Sequence, residues 1–538
     1  MPVDHSGSPS PPLMGAKPIT CLAMEPVQVV LFKRDLRVHD HGPLREAACR
    51  GPVLPLVVVE PERWAQPDAS ARQWAFCAES LDELGRELAR LGSPLVVRVG
   101  EMVPVLSALH DQVAFTALWS HEETGNGWTY GRDRAVAAWC RDRGIAWHQL
   151  PQTGVVRALG SREGWARRWE ERLGQAPLAA PKRLRGGAEH ELAPLPPGGL
   201  PRAEALGLPP DPCPDRQPGG RQAGLERLNS FLAERCRGYA KGLSSPLTAP
   251  HCCSRLSPHL AFGTLSLREV VWASRRRGGP KAFEERLHWH CHFIQKLESE
   301  PELEFRDAHP AYNGLRHTDP ERLAAWSEGR TGLPFVDACM RALTAEGWIN
   351  FRMRALLMAV ASYHLWIHWR DSGLVLARRF VDYEPGIHWN QCQMQAGTTG
   401  INTVRVYNPV KQGLDHDPAG DYVRRWVPEL AAVPLTHLHT PWTMTAAEQE
   451  ACGCVLGVHY PAPIVDHPRA AREARERVWG VRKGPGFREQ ADSIQDRHGS
   501  RRSGLPTPRA GVSRRPRRRD SPGQLSLFDP PCALEDTP

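Results

Sequence analysis

Two carboxylates, Asp382 and Glu384, stand two residues apart in FVDYEPGIHWNQ (380–391), a segment broken by Pro and Gly. Paired carboxylates suit acid/base chemistry, though the spacing fixes no distance between them. Upstream, GWINFRMRALL (347–357) has helical character. Asn350 and Arg354 are four apart and share a face, whereas Arg352 points elsewhere. A buried arginine needs a carboxylate or phosphate partner, so an internal salt bridge is the preferred reading. CCSRLSPHLAFGTLS (252–266) sets Ser254 and Ser257 around Arg255, ahead of Pro258 and an apolar run. Hydroxyls, backbone N–H groups and an arginine at a helix start suit a phosphate. A plain N-cap at Ser257 accounts for the same residues equally well. LFKRDLRVHDHGPL (31–44) runs from a strand into Lys33, Arg34, Asp35, Arg37, His39 and Asp40. At the carboxyl end of a parallel strand such a set faces ligands, but spacing alone favours a solvated loop. Of 18 tryptophans, Trp289, Trp326, Trp348, Trp366, Trp369 and Trp389 fall in the second half. Most are expected in the core, with a minority free to stack on a ring or a splayed base.

The elements that must position these residues fall into two patterns. Apolar runs at 27–33, 53–59, 94–100, 115–121 and 145–150 alternate with helical periodicity at 71–91 and 131–144. That alternation predicts a doubly wound α/β domain over 27–150. Residues 151–220 are rich in Pro and Gly and read as a linker. From 221 to 483 helical patterns dominate and no strand run of similar strength occurs, so this domain is expected to be all-α. Residues 1–26 read as a flexible leader, with Met24 an alternative start. Residues 484–538 are poor in apolar side chains and read as a disordered basic tail.

The composition is that of a water-soluble globular chain of 538 residues, 41 % hydrophobic and 24 % charged. No apolar run reaches the ~18 residues of a membrane span, and the leader lacks the pattern of a signal peptide. The 14 cysteines are scattered; Cys252–Cys253 and Cys452/Cys454 are the close groups, neither with CxxC spacing. No metal site is expected. Cys49, Cys77 and Cys140 sit in apolar-periodic segments as buried thiols do, and such usage suits a reducing, cytoplasmic setting. The net charge is +8, but Ser500–Asp520 holds eight Arg and one Asp, leaving about +1 for the rest. Global charge therefore says little about what the folded part binds.

Taken together, the motifs resemble those of the photolyase/cryptochrome flavoproteins. LFKRDLRVHDHGPL is similar to the family's opening signature and SRLSPHLAFGTLS to its flavin-phosphate loop. EGRTGLPFVDACMRALTAEGWINFRMR resembles its most recognisable helical block, and RVYNPVKQGLDHDPAGDYVRRWVPEL and YPAPIVDH its C-terminal blocks. They occur in family order over roughly 27–480. The resemblance implies an α/β antenna domain, a linker and an all-helical domain holding FAD. It also implies a second, antenna chromophore of folate or deazaflavin type, which the sequence leaves unassigned. Carried over position by position, the cofactor residues are Tyr239, Ser254, Arg255, Leu256, Ser257, His290, Arg354, Asp382, Glu384 and His388. Trp289, Arg286, Asn350 and Arg352 fall in the substrate cavity. Arg352, Arg405 and Lys411 fall on the DNA face, and Trp369 with Trp389 on the electron-transfer route.

Departures from the family pattern bear on activity. Arg286 stands where repair enzymes carry a Glu that hydrogen-bonds the dimer, and Arg donates but cannot accept. Phe351 replaces an Asn next to Asn350, His290 replaces an Arg, and His388 falls near the position facing flavin N5. Of the three-tryptophan relay only the middle member, Trp369, is matched. The distal position falls on Arg316 and the proximal one near Gln393, with Trp389 close by. The expected function is blue-light-driven repair of pyrimidine dimers in damaged DNA, by a carbon–carbon lyase acting through reduced FAD. The alternative is a cryptochrome-like photoreceptor without repair. QLSLF in the tail resembles the peptide by which bacterial repair proteins dock on the DNA sliding clamp. Leu525, Leu527 and Phe528 would fill apolar pockets while Gln524 hydrogen-bonds alongside. That motif favours repair over signalling, and the chain is expected to act as a monomer.

Overall fold

The apolar runs fold as five parallel strands in a computed structural model that describes residues 25–186 and 195–499. They are β1 (Gln28–Phe32), β2 (Val53–Val59), β3 (Val96–Val99), β4 (Ala117–His121) and β5 (Ala146–Leu150). Their order is β3-β2-β1-β4-β5, so the chain reverses direction across the sheet between β1 and β4. Helices α1 (Gly42–Ala48), α2 (Ala71–Arg90), α3 (Met102–Val113) and α4 (Gly127–Asp142) connect and cover the strands. The central strands β1, β2 and β4 are buried on nearly every residue, which is why they read as continuous apolar runs rather than as alternation.

The Pro/Gly-rich segment is packed rather than loose. Leu184, Leu206 and Leu208 join the core beside the sheet. Helix α5 (Trp165–Leu173) carries Trp165, Trp169 and Leu173 into the core of the helical domain. That domain includes α6 (Arg221–Ala233), α7 (Ser257–Ala261), α8 (Lys281–Ser299), α9 (Pro334–Glu346), α10 (Phe351–Ala359), α11 (Trp369–Arg379) and α12 (Pro385–Ala396). It ends in α13 (His467–Arg482) and α14 (Phe487–His498). The expected boundary at 483 thus falls inside the packed body. Phe487 is buried against His309 with ring centroids 4.0 Å apart, Ile494 and His498 are buried beside it, and Arg497 and His498 both reach Glu300.

Four local expectations change. The 33–40 loop is not solvated: Asp35, Arg37 and Asp40 are buried, because the loop is wedged between the sheet and the helical domain. Asn350 does not share a helical face with Arg354; it is the N-cap of α10, with extended backbone. Ser257 is the first residue of α7 and makes no capping hydrogen bond. Among the thiols, Cys77 and Cys140 are buried but Cys49 is exposed. Most of the leader and the whole tail from 500, with Gln524, Leu525, Leu527 and Phe528, lie outside the described residues.

Candidate functional site

Helix α8 presents Arg286, Trp289, His290 and Phe293 at i, i+3, i+4 and i+7, one face of a helix. Trp289 is half-buried and stacks on Phe293 at 5.7 Å, with His292 edge-on at 4.9 Å. Arg286 lies over the Phe351 ring at 5.8 Å and beside Tyr239. Burial pushes the Tyr239 phenol up, partly offset by that guanidinium. The opposite wall comes from α10. Arg354, in its first turn, holds Asp382 with two parallel bonds of 3.1 and 2.7 Å, donates to the Ile349 carbonyl at 2.8 Å and stacks on Phe380 at 4.0 Å. The salt bridge expected from sequence is therefore present. Glu384 is not part of it: its partner is Arg34 of the sheet domain, at 3.1 Å.

Three arginines here, Arg255, Arg286 and Arg352, have no carboxylate within ion-pair distance among the described residues. Arg255 lies over Trp348 at 4.1 Å, at a left-handed φ of +60°. Arg255 Nε, Arg352 Nε and Asn350 Oδ1 are buried without a hydrogen-bond partner in the chain. Asn350 spends its amide N–H groups on the carbonyls of Leu243 and Ser244, at 3.1 and 2.8 Å, which leaves its oxygen for something else. Orphaned buried donors and an acceptor beside arginines that make no ion pair are what a phosphate-bearing dinucleotide would satisfy. The residues therefore fit FAD. His388 is less available: it donates Nε2–H to the Gly373 carbonyl at 2.8 Å, and burial lowers its pKa to about 4.

Trp369 and Trp389 are both fully buried and meet at 5.9 Å with planes at 74°. Trp369 donates to Asp307 at 2.8 Å. Arg316 is buried under Trp366, its guanidinium 4.7 Å from that ring, and is held by the carbonyls of Ser362 and Ala396. Gln393 is committed to the backbone of Leu303 and Arg306. On the outer face Arg352 and Arg405 flank Tyr407, and Lys411 follows on the next helix, paired with Asp415 at 3.0 Å.

The two domains are fastened by the 33–40 loop. Arg34 donates to the carbonyls of Ala261 and Tyr383, and Arg37 to that of Gly263. Gly263 has φ +67°, and a Cβ there would sit 2.3 Å from the Arg34 carbonyl oxygen, so only glycine allows this approach. His290 lines the polar cavity at this junction with Arg34 and Glu384, and burial lowers its pKa to about 4. Beneath it Asp35 accepts from the Lys33 backbone at 2.8 Å, His41 at 3.0 Å and His121 at 2.7 Å. This is the one Asp/His grouping of metal-ligand type among the described residues. It is wired against a metal: His41 Nδ1 accepts from the Leu44 N–H at 3.1 Å, so its Nε2 must carry the proton it gives Asp35. A second cleft opens at the carboxyl ends of β1 and β2, lined by Phe32, Trp64, Trp74, Phe262 and Tyr383, with Glu60 and Arg132 at its polar side. Burial, opposed by Arg132, raises Glu60 to about 7. The sequence carried no signal for Arg34 or Gly263 as domain fasteners, since their partners lie more than two hundred residues away.

Comparison with known proteins agrees with this two-domain fold. The DNA photolyase profile matches residues 28–161, and that for the FAD binding domain of DNA photolyase matches 283–480. A deoxyribodipyrimidine photo-lyase of Streptomyces griseus is 32 % identical over 489 residues, covering 85 % of this chain and 99 % of that one. Cryptochrome DASH of Gloeobacter violaceus is 30 % identical over 490 residues, covering 83 % and 95 %. The crystal structure of a class III photolyase from Agrobacterium tumefaciens superposes with a TM-score of 0.77 at 27 % identity, covering 87 % of this chain and all of that one.

Proposed function

The chain belongs to the photolyase/cryptochrome family, and from that premise we propose that it is a blue-light-driven lyase that uses FAD to return pyrimidine dimers in damaged DNA to monomers. The observation that carries this reading is the unmatched charge of Arg255, Arg286 and Arg352 around a cleft braced by the Arg354–Asp382 pair. A pyrophosphate and a flipped, dimer-bearing strand are the anions that need it. When bound and reduced, the flavin supplies the photoexcited electron that opens the dimer.

The chain's own residues bind, orient and exclude water. Ser254, Leu256 and Ser257 contribute the polar loop for the phosphates, with Arg255 behind it, and the Asn350 oxygen accepts from an N–H of the cofactor or the dimer. Tyr239 is buried behind Arg286. Trp289 offers an aromatic face to a dimer lifted from the stack. Arg286 holds a positive charge where negative charge builds up on the dimer. Arg352, Arg405 and Lys411 lie where they can reach backbone phosphates, which position DNA without reading its sequence. Trp369 and Trp389 form a short path along which an oxidised flavin can be re-reduced. The aromatic cleft beside β1 and β2 suits an antenna chromophore.

The tail motif Gln524–Phe528 adds a docking peptide for the sliding clamp. Deleting 523–538 is expected to abolish clamp binding; unchanged affinity would refute it. Loss of the family's Glu and Asn to Arg286 and Phe351 favours the second reading, a photoreceptor. Repair assays on wild type and Arg286→Glu test the role given to Arg286: repair is expected to change with the substitution, and unchanged repair removes Arg286 from the mechanism.

A further inference from the structure

The loop that leads into Ser254 carries two adjacent thiols, the one Cys-Cys pair in the sequence. Cys252 closes the short helical turn Ala249–Cys252, and Cys253 continues in extended backbone at φ −79° and ψ 155°. Cys252 is buried, with its sulfur against Gly242, and Cys253 is half-buried. Over them lies Arg235. It donates to the carbonyl oxygens of Cys253, Ser254 (3.3 Å) and Arg227 (2.8 Å) and to the Ser230 hydroxyl (3.2 Å). None of these is an anion, and no carboxylate lies within ion-pair distance of it among the described residues. A guanidinium surrounded by neutral acceptors leaves its charge to act on what is beside it, which here is sulfur.

We infer that Cys252 and Cys253 are a redox-active dithiol that closes to a vicinal disulfide under a hydroperoxide. The two thiols are unequal in the way such chemistry needs. A hydrogen bond from Cys253, aided by Arg235, lowers the Cys252 thiol pKa, while the Cys253 thiol is raised. Cys252 is thus the attacking thiolate and Cys253 the resolving thiol. In the first step Cys252 sulfur attacks the peroxide oxygen, giving a sulfenic acid, with the leaving oxygen taking up a proton as water or alcohol. In the second, Cys253 displaces the sulfenic oxygen as water and the S–S bond forms. Two thiols lose two electrons and two protons, and the peroxide is reduced. Buried thiols with no second thiol beside them are raised instead: burial pushes Cys77 up to about 12 and Cys140 and Cys291 to about 11. Because the ring would share backbone with Ser254 and Arg255, its closure acts directly on the loop assigned to the flavin phosphates. That coupling rests on the flavin reading; the dithiol does not.

Trypsin reads the pair cleanly, since cleavage after Lys241 and Arg255 releases one peptide with these two cysteines and no other. The full-length protein is treated with hydrogen peroxide, cleared of peroxide, then unfolded in the presence of iodoacetamide and digested without reductant. The expected result is a 242–255 peptide lighter by two hydrogens and unalkylated, at doses that leave Cys77, Cys140 and Cys291 alkylated. In Cys253→Ser, Cys252 is expected to trap dimedone instead, and in Arg235→Gln closure slows by about tenfold. A peptide that stays alkylated while other thiols oxidise, or a pair that closes only in urea, would overturn the inference. FAD titration of the reduced and oxidised protein reads the coupling, with Kd expected to rise about tenfold. Unchanged Kd with the disulfide in place would overturn the coupling alone. Failure of the reduced protein to bind FAD would overturn the flavin reading and leave the dithiol standing.

Discussion

Replacing Asp382 with Asn keeps the shape of the side chain but removes the charge that Arg354 grips. The native pair has two charge-assisted bonds of 3.1 and 2.7 Å, and the Asp382 side chain is 2 % exposed. The amide can accept one of these bonds but turns its NH₂ toward the other guanidinium N–H. Arg354 is then left with the Ile349 carbonyl, the Phe380 ring and a donor facing a donor. Breaking a fully buried pair costs about 3–5 kcal/mol. The Arg354 side chain is 25 % exposed, so water recovers part of that cost, and about 2–3 kcal/mol is expected. For a domain of this size that lowers the melting temperature by roughly 4–9 °C. Thermal unfolding of the flavin-free protein, followed by circular dichroism, reads the shift without any contribution from bound cofactor. A midpoint within about 1 °C of wild type would show that the pair does not brace α10 against the 380–384 segment, and the cleft would lose its assigned support.

Gly263→Ala should cost about 2–4 kcal/mol, from the left-handed φ and the overlap with the Arg34 carbonyl. Unaltered melting and unaltered protease sensitivity at the domain junction would refute the fastening role. The buried histidines pull stability down in mild acid, against the opposite pull of the buried carboxylates Glu60, Glu298 and Glu304, raised by burial to about 7, 8 and 7. His259, His364 and His388 are buried and their pKa values are lowered by burial from 6.5 to about 4. Lowered histidines stabilise the fold above pH 6.5 and lose that contribution as pH falls toward 4. At pH 5.5 each costs about 1.4 kcal/mol, or about 4 kcal/mol together, relative to neutral pH. Replacing His364 with Gln should therefore shift the change in stability between pH 7.5 and 5.5 by about 1.4 kcal/mol in favour of acid, and an unshifted change contradicts the assignment. Trp369→Phe should slow photoreduction of oxidised FAD at least about tenfold in transient absorption, and an unchanged rate would point to a path that avoids Trp369.

The α/β domain was legible in the sequence because strands buried on both faces write themselves as apolar runs, as VLPLVVV does for β2. The Arg354–Asp382 pair was legible through the family resemblance, which sets these two residues side by side; helical spacing alone fixes no distance between them. The 33–40 loop was misread for a physical reason. Whether Lys33, Asp35 and Arg37 meet water depends on a second domain packing over them, which local spacing does not encode. The resemblance sets Glu384 in the family's second acidic place; its contact with Arg34 across the domain boundary is one that no local pattern encodes. Helix α14 escaped detection because Phe487 and Ile494, its two buried apolar residues, are too weak a periodic signal to separate it from a polar tail.

The central claim is tested most directly by dimer loss under blue light. The FAD-loaded, chemically reduced protein is mixed with duplex DNA carrying one cyclobutane pyrimidine dimer, and dimers are counted by chromatography with and without illumination. The account predicts light-dependent return of the dimer to two intact pyrimidines, with none lost in the dark. Tight binding of the damaged duplex and full absorption of light by the flavin, with the dimer count unchanged, would contradict it.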